Sequence, residues 1–466
     1  MTLSLCMIVR DEADWIAACV AHHRALADEV VVLDTGSTDG TPDLAHAAGA
    51  RVSSRPWSDD FAAARNAAID TATGDWVLSL DADEWIDPAD FAGIRALIEG
   101  GEAAGYRLRL RTYTNDSELF DWRALTGPVP EVVRARGFTG YCEHALVRLF
   151  PRRPEIRYRG RIHEIVEAAL AEHNVECRTT DVVVHHLGHA RPAATRREKA
   201  RRYLELSRFK VEERPTDAQA HLEHGMAALE LGDRATAVTA FTRAVTLAPG
   251  RRECHEHLGA ALQKAGRHAE ALAVFGKALK AFPRAASLYA GAGEAVSALG
   301  RQPEARVAYT HCLALDPGHF RARLNLGVLE MDHDPDAARR HLEDAERLNP
   351  RSDLPPLNLG LLYARAGDAE AARTALERAL GLNAGRWQTP AALGALCFDA
   401  NDFDGAAVWY GRAAAMPDHG PEVEAKQCAA EVARGNLAEA RERAREAARR
   451  DQRYAYLEEL CAEANT

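Results

Sequence analysis

The sequence predicts an α/β domain built on an open sheet, followed by an all-α repeat superhelix. Three observations carry this. Short β-rich runs alternate with helical segments up to about residue 190. Two of those runs, Val30–Leu33 and Trp76–Leu80, end abruptly in carboxylates: Asp34 after the first, and Asp81, Asp83 and Glu84 after the second. Beyond about residue 217 the pattern is almost wholly helical and recurs every 34 residues.

Composition bounds the function. At 466 residues the chain has room for two or three domains. It is 47% hydrophobic and 27% charged, ordinary for a soluble globular protein. A net charge of −11 argues against a general nucleic-acid binder, which carries a basic footprint. No apolar run reaches the ~18 residues that span a bilayer. The run Leu3–Val9 is short for a signal-peptide core and stops at Arg10-Asp11-Glu12, so a cytoplasmic protein is expected. Nine scattered Cys without a Cys-x-x-Cys pair point to buried, reduced thiols.

Along the first half, Ser4–Val9 reads as a strand and Asp11 onward as a helix. Arg10 and Asp11 fall at that strand end, near where a nucleotide base would lie. Asp34 closes the second strand, suited to a hydrogen bond from a base imide or a ribose, or to a turn. Gly36 and Ser37 allow the tight turn, and Thr38 or Asp39 can cap the next helix. Asp59–Asn66 looks like a helix start with small residues on one face. Arg65 and Asn66 lie one turn in, within reach of a diphosphate or a sugar hydroxyl; Arg is the natural partner of phosphate oxygens. Tyr106–Tyr113 alternates as a strand, Asn115–Cys142 as an acceptor-facing loop or flap, and Ala145–Phe150 as another strand. The Arg residues between 134 and 161, Arg148 among them, read mostly as a solvated face. Val182–His189 is a strand ending in histidines.

The carboxylates carry the chemistry. In an open α/β sheet, ligands bind beyond the carboxyl ends of the strands. A hard divalent cation wants oxygen ligands and bridges readily to phosphates. An Asp-x-Asp there can give one carboxylate to a metal and one to sugar or ribose hydroxyls.

Four motifs taken together are more specific: Met7–Glu12, Leu33–Asp39, Asp60–Asn66 and Leu80–Glu84. In this order they resemble glycosyltransferase family 2, in the branch that holds the sublancin-type peptide S-glycosyltransferases and other bacterial enzymes with appended repeats. The resemblance covers roughly residues 1–190. It implies a GT-A (Rossmann-like) fold, a nucleotide-sugar donor, Mg²⁺ or Mn²⁺, and inversion at the anomeric carbon. It places Asp81 on donor hydroxyls and Asp83 on the metal. His186 matches a His-x-Gly at the end of the family's catalytic domain, as a ligand of metal or diphosphate. His189 stands where an aromatic is common. The segment Ile162-His163-Glu164 falls where the family places its acidic general base. Glu164 is the expected base and His163 its assistant, with Glu143 a second candidate; a structural pairing of Glu164 with Arg159 or Arg161 is the competing reading.

In the second half, Gly225, Gly259, Gly293, Gly327, Gly360 and Gly394 are spaced 34, 34, 34, 33 and 34 apart. Gly232, Gly266, Gly300 and Gly367 each follow seven residues behind, and Pro249, Pro283, Pro317 and Pro350 close the units. This resembles the tetratricopeptide repeat, with small residues where two helices touch and Pro at the exit turn. It departs from that family at the aromatic early position, here His221, His255, Tyr289 and Arg323. About six units and a capping unit are expected over 218–452, after a 191–217 linker helix whose Arg residues form a solvated face. Such arrays offer a concave platform to extended peptides. Asn325 and Asn358, equivalent in adjacent units, are candidate acceptor contacts, with solvated polar residues as the alternative.

The leading expectation is thus a transferase that moves one sugar from a nucleotide diphosphate, UDP being favoured, to a protein or peptide side chain held by the repeats. A saccharide acceptor, or a repeat scaffold with a degenerate transferase half, are the alternatives. The branch resemblance also suggests a homodimer.

Overall fold

The computed structural model describes residues 1–100, 104–115, 122–125, 127–162, 164–188 and 193–463, with the side chains of 193–196, 199 and 462–463 excepted. The chain divides into two compact units, Met1–Gly300 and Arg301–Thr466.

In the first unit the strands are β1 (Leu3–Val9), β2 (Glu29–Asp34), β3 (Arg51–Ser54), β4 (Trp76–Ser79), β5 (Glu84–Ile86), β6 (Ala104–Thr114), β7 (Arg123–Ala124), β8 (Gly140–Pro151) and β9 (Glu176–His186). They form one sheet in the order β3-β2-β1-β4-β8-β6-β9-β5, with β7 paired to β8. The first four are parallel. The second half is mixed: β8 is antiparallel to β4 and β6, and β9 is parallel to β6. The helices are α1 (Ile16–His23), α2 (Thr41–Ala47), α3 (Phe61–Thr71), α4 (Phe91–Glu99), α5 (Glu131–Arg134) and α6 (Glu167–Glu172).

Strand alternation divides the core into two layers. Leu3, Leu5, Met7 and Val9 of β1 face Ile16, Cys19 and Val20 of α1 and Ile94 and Ile98 of α4. Cys6 faces the other way, into a layer with Val31, Leu33, Ala62, Ala64, Ala68 and Ile69. The alanines of α3 let that helix lie close on the sheet. Asp60 caps it, its carboxylate accepting from the Ala63 amide at 2.8 Å. β1, β2 and β4 are parallel, so their carboxyl ends lie at one edge of the sheet and present the motif residues.

Helix α7 (Ala193–Glu213) follows, then α8 (Ala218–Glu230), α9 (Arg234–Leu247), α10 (Arg252–Lys264), α11 (His268–Ala281) and α12 (Ala286–Ala298). The reason for the glycine period is visible here. A Cβ on Gly225 would meet the Phe241 ring at 2.5 Å, and one on Gly259 the Phe275 ring at 2.3 Å. Each bare Cα is the floor on which the ring of the next helix rests. Gly232, Gly266 and Gly300 take positive φ of 80°, 74° and 76° in the turns, a conformation glycine adopts freely.

The second unit holds α13 (Gln302–Leu315), α14 (Phe320–Glu330), α15 (Pro335–Leu348), α16 (Leu354–Arg365), α17 (Ala369–Leu382), α18 (Gln388–Asp399), α19 (Phe403–Ala414), α20 (Pro421–Ala433), α21 (Leu437–Arg450) and α22 (Tyr456–Glu463). The same grammar recurs, with Leu342, Leu376 and Tyr410 seated on Gly327, Gly360 and Gly394. Asn401, 34 residues after Gly367, takes the left-handed turn conformation at φ 60° in place of glycine.

The residues that depart from the repeat family share a task. His221, His255, Tyr289 and Arg323 each donate to the carbonyl of the proline six residues earlier (Pro215, Pro249, Pro283 and Pro317), at 3.0, 2.9, 3.3 and 2.8 Å. A polar side chain there ties the inter-repeat turn to the helix it precedes. All nine cysteines are free thiols, seven of them buried. Among the described residues no helix is long and apolar enough to cross a membrane.

Candidate active site

Arg65 is the hub. It projects from the second turn of α3 and is 6% exposed. Its Nη2 donates to Asp81 Oδ1 at 2.9 Å, its Nη1 to Ser79 Oγ at 3.1 Å, and its Nε to Glu164 Oε1 at 2.5 Å. Burial works against the guanidinium charge, but Asp81 and Glu164 outweigh it and hold the group firmly protonated. The structure thus joins Arg65, Asp81 and Glu164, which lie 99 residues apart at the extremes. The partner of Glu164 is Arg65; Arg159 pairs with Glu172 and Arg161 with Glu213. His163 lies outside the described residues, as does His189.

Asp83 and His186 form the second group. Strand β5 runs antiparallel to β9 with Glu84 opposite His186, which brings Asp83 Oδ2 to 3.7 Å from His186 Nε2. Thr112 Oγ1 lies 3.1 Å from the other ring nitrogen, Nδ1. That contact orients the imidazole with Nε2 toward Asp83. Gly188 completes the arrangement. A Cβ there would stand 2.7 Å from His186 Nε2 and 3.4 Å from Asp83 Oδ2. The missing side chain keeps open the space in front of both groups.

This donor set fits a divalent cation. One carboxylate and one imidazole suit Mn²⁺ or Mg²⁺ when phosphate oxygens and water complete the shell. Among the described residues no three His, Cys, Asp or Glu side chains converge on one metal position. Asp83 and His186 by themselves offer two donor side chains, so a cation between them would need oxygens from elsewhere to complete its shell.

Other candidates are committed to the scaffold. Asn66 makes both of its amide bonds to the main chain of Tyr158, at 3.0 and 2.9 Å, and so fastens that segment to α3. Asp34 accepts from the Gly36 and Ser37 amides at 3.1 and 3.2 Å and shapes the turn. Arg10 and Asp11 stand exposed at the end of β1, where Asp11 accepts from the Thr38 amide at 2.7 Å. Glu143 is clamped by Arg109 and Arg111 at 2.9 and 2.7 Å. Burial would raise its pKa, but the bonds from those arginines outweigh it and hold the carboxyl below its ordinary range, which suits a structural anion better than a base. In the second unit, Asn325 donates to Tyr309 Oη at 3.2 Å and Asn358 to the Leu354 carbonyl of its own helix at 2.8 Å. Each amide is engaged within its own neighbourhood.

Burial overturns the expectation for one arginine, and contacts add to that for another. Arg148 is not part of a solvated face: it is 6% exposed and pairs with Glu84 at 2.5 Å. Glu84 in turn accepts from the Asp81 amide at 2.9 Å and so sets the Asp81–Asp83 turn. Burial pushes the Glu84 carboxyl up, opposed by Arg148. The signal was a lone Arg inside the apolar run Leu146–Phe150. Arg202 of α7 stays partly solvated but also stacks over the Trp57 ring at 4.9 Å and pairs with Asp59 at 3.4 Å. Ser79 and Thr112 carried no sequence signal, because a hydroxyl in a strand is ordinary.

Residues 4–153 match the family described as glycosyl transferase family 2, and residues 357–385 the tetratricopeptide repeat. Residues 189–284 match the bacterial transcriptional activator domain. The chain therefore carries a family 2 glycosyltransferase domain at its N-terminus and tetratricopeptide repeats toward its C-terminus.

Particular relatives follow. A TPR repeat-containing protein of Synechococcus elongatus is 36% identical over 237 residues, 50% of this chain and 53% of its own length. An uncharacterized glycosyltransferase of Rickettsia felis is 35% identical over 82 residues, 18% of this chain and 29% of its own. The SPbeta prophage-derived glycosyltransferase SunS of Bacillus subtilis is 25% identical over 165 residues, 35% of this chain and 34% of its own. The chain thus spans about half the length of the first relative and 29% and 34% of the other two. A tetratricopeptide repeat protein from Parabacteroides merdae is similar in structure with a TM-score of 0.45 at 15% identity, covering 53% of this chain and 98% of that one. The APC/C hetero-tetramer Cut9-Hcn1 gives a TM-score of 0.46 at 18% identity, over 58% of this chain and 54% of that one. Neither likeness bears on function.

Proposed function

We propose that the protein transfers a sugar, with inversion, from a nucleoside diphosphate donor, a UDP-sugar in the first instance, to a side chain of a protein or peptide. The observation that carries this is the pairing of Asp83 and His186 under the bare Gly188, beside the Arg65–Asp81–Glu164 cluster in a family 2 domain.

Asp83 and His186 hold Mg²⁺ or Mn²⁺ in this reading. A cation held there would neutralise charge on the departing diphosphate. Asp81, about a third exposed and fixed by Arg65, faces donor hydroxyls. Arg65 is already engaged with three acceptors, so its part is to hold Asp81 and Glu164 at a set separation. Glu164 takes the proton of the acceptor nucleophile as that atom attacks the anomeric carbon. The Arg65 bond keeps the Glu164 carboxylate aimed. Protein or peptide is favoured as acceptor because the repeats supply a long platform of the kind that binds extended chains. The test is transfer of labelled sugar to protein in an extract from cells lacking this chain. Label on protein supports the reading; label only on lipid or saccharide overturns the acceptor assignment.

A further inference from the structure

We propose that α7 and the first repeat helix, α8, are part of the frame that holds the reacting groups, with Lys210 as the positioning residue. This rests on the role proposed for Glu164.

Lys210 is 9% exposed, and its Nζ makes two bonds. One goes to the Ile162 carbonyl at 3.3 Å, the other to Glu223 of α8 at 2.6 Å. Glu223 is itself buried and accepts from Gln219 at 2.9 Å. Ile162 is fully buried, and Glu164 follows two residues later, bound to Arg65. A continuous chain of polar contacts therefore runs from α8 through α7 to the loop that carries the expected base.

The same helix grips the other side of the cluster. Arg202 pairs with Asp59 and lies over Trp57, and Tyr203 stacks on Phe61 with ring centres 5.7 Å apart. Phe61 opens α3, the helix of Arg65, and its amide donates to the Arg161 carbonyl at 2.8 Å. Asp59 holds a positive φ of 55°, a conformation kept by its surroundings. One helix thus braces both segments whose side chains meet at Arg65 and Glu164. A buried lysine is costly unless paired. Bracing accounts for it: misplacing a reacting group by ~1 Å costs about 100-fold in rate.

The test uses the full chain. Replacing the pair together, Lys210→Met with Glu223→Leu, removes the link without stranding a charge. The expected result is a folded protein with wild-type KM for the donor and a kcat lowered at least about 10-fold. A merely structural link would lower the unfolding temperature and leave kcat alone. Wild-type kcat in the folded double variant overturns the inference. Should that variant not fold, Arg202→Gln decides at a half-exposed site, with reduced kcat at unchanged KM expected and unchanged kcat overturning the brace. A wild-type protein that turns over no donor overturns the reading of the site itself, and this inference with it.

Discussion

Gly188 and Glu84 are the residues at which the site is most exposed to test. A methyl at Gly188 would press on His186 Nε2 and Asp83 Oδ2. Gly188→Ala is therefore expected to weaken Mn²⁺ binding at least about 10-fold, read by calorimetry, with the circular dichroism unchanged. Equal affinity would remove Gly188 from the site. Asp83→Ala is expected to abolish transfer in a protein that still folds; full activity in that variant would sink the metal assignment. Glu84 behaves differently, because it supports the turn. Glu84→Ala strands the buried Arg148 and is expected to cost about 3–5 kcal/mol in urea unfolding. Glu84→Leu with Arg148→Met should recover most of that loss, and a double variant no better than the single would contradict the pairing. The acidic residues themselves are legible in the sequence, since Asp81, Asp83 and Glu84 end an apolar run. Their partners are not: Arg148 meets Glu84, and Arg65 meets Asp81, only after elements distant in sequence are laid side by side.

At the scale of elements, the repeat positions have individual causes. Gly259 accommodates the Phe275 ring, so Gly259→Val is expected to destabilise by about 1–3 kcal/mol through overpacking, seen as a lower unfolding midpoint. An unchanged midpoint would mean that the helices separate freely there. In the catalytic domain, His23 joins α1 to β5. Its Nδ1–H donates to the Cys19 carbonyl at 2.9 Å and its Nε2 accepts from the Ile86 amide at 3.3 Å, a pattern open only to the neutral ring. Burial above all lowers its pKa to about 4. The unfolded chain then binds the proton first as pH falls. The contribution of His23 is full above about pH 6.5 and is lost progressively toward pH 4. The expected outcome is that His23→Gln flattens the fall of unfolding temperature between those values; an identical slope would contradict the neutral ring. The sequence shows β1, β2 and β4 and the period of the repeats, because each is a local pattern. It hides the pairing of β5 with β9, because β5 has only three residues and its partner lies about 100 residues on. It also hides the proline-carbonyl ties of His221, His255, Tyr289 and Arg323, which look from the sequence like a lost aromatic.

For the whole molecule, the catalytic domain, α7 and the first repeats lie in one compact unit. In this account the sheet ends present the donor-side residues, and α7 braces the segments that meet at Arg65 and Glu164. The repeats thereby act at both ends of the reaction in this account, on the acceptor and on the geometry of the base. All of it depends on the site handling a nucleoside diphosphate sugar. The most direct measurement is nucleotide release from UDP-, GDP- and dTDP-sugars with Mn²⁺, with Mg²⁺ and with EDTA. The account predicts release from one donor that needs the metal, stops with EDTA and is missing in Asp83→Ala. No binding and no release from any donor, with metal present, would contradict it.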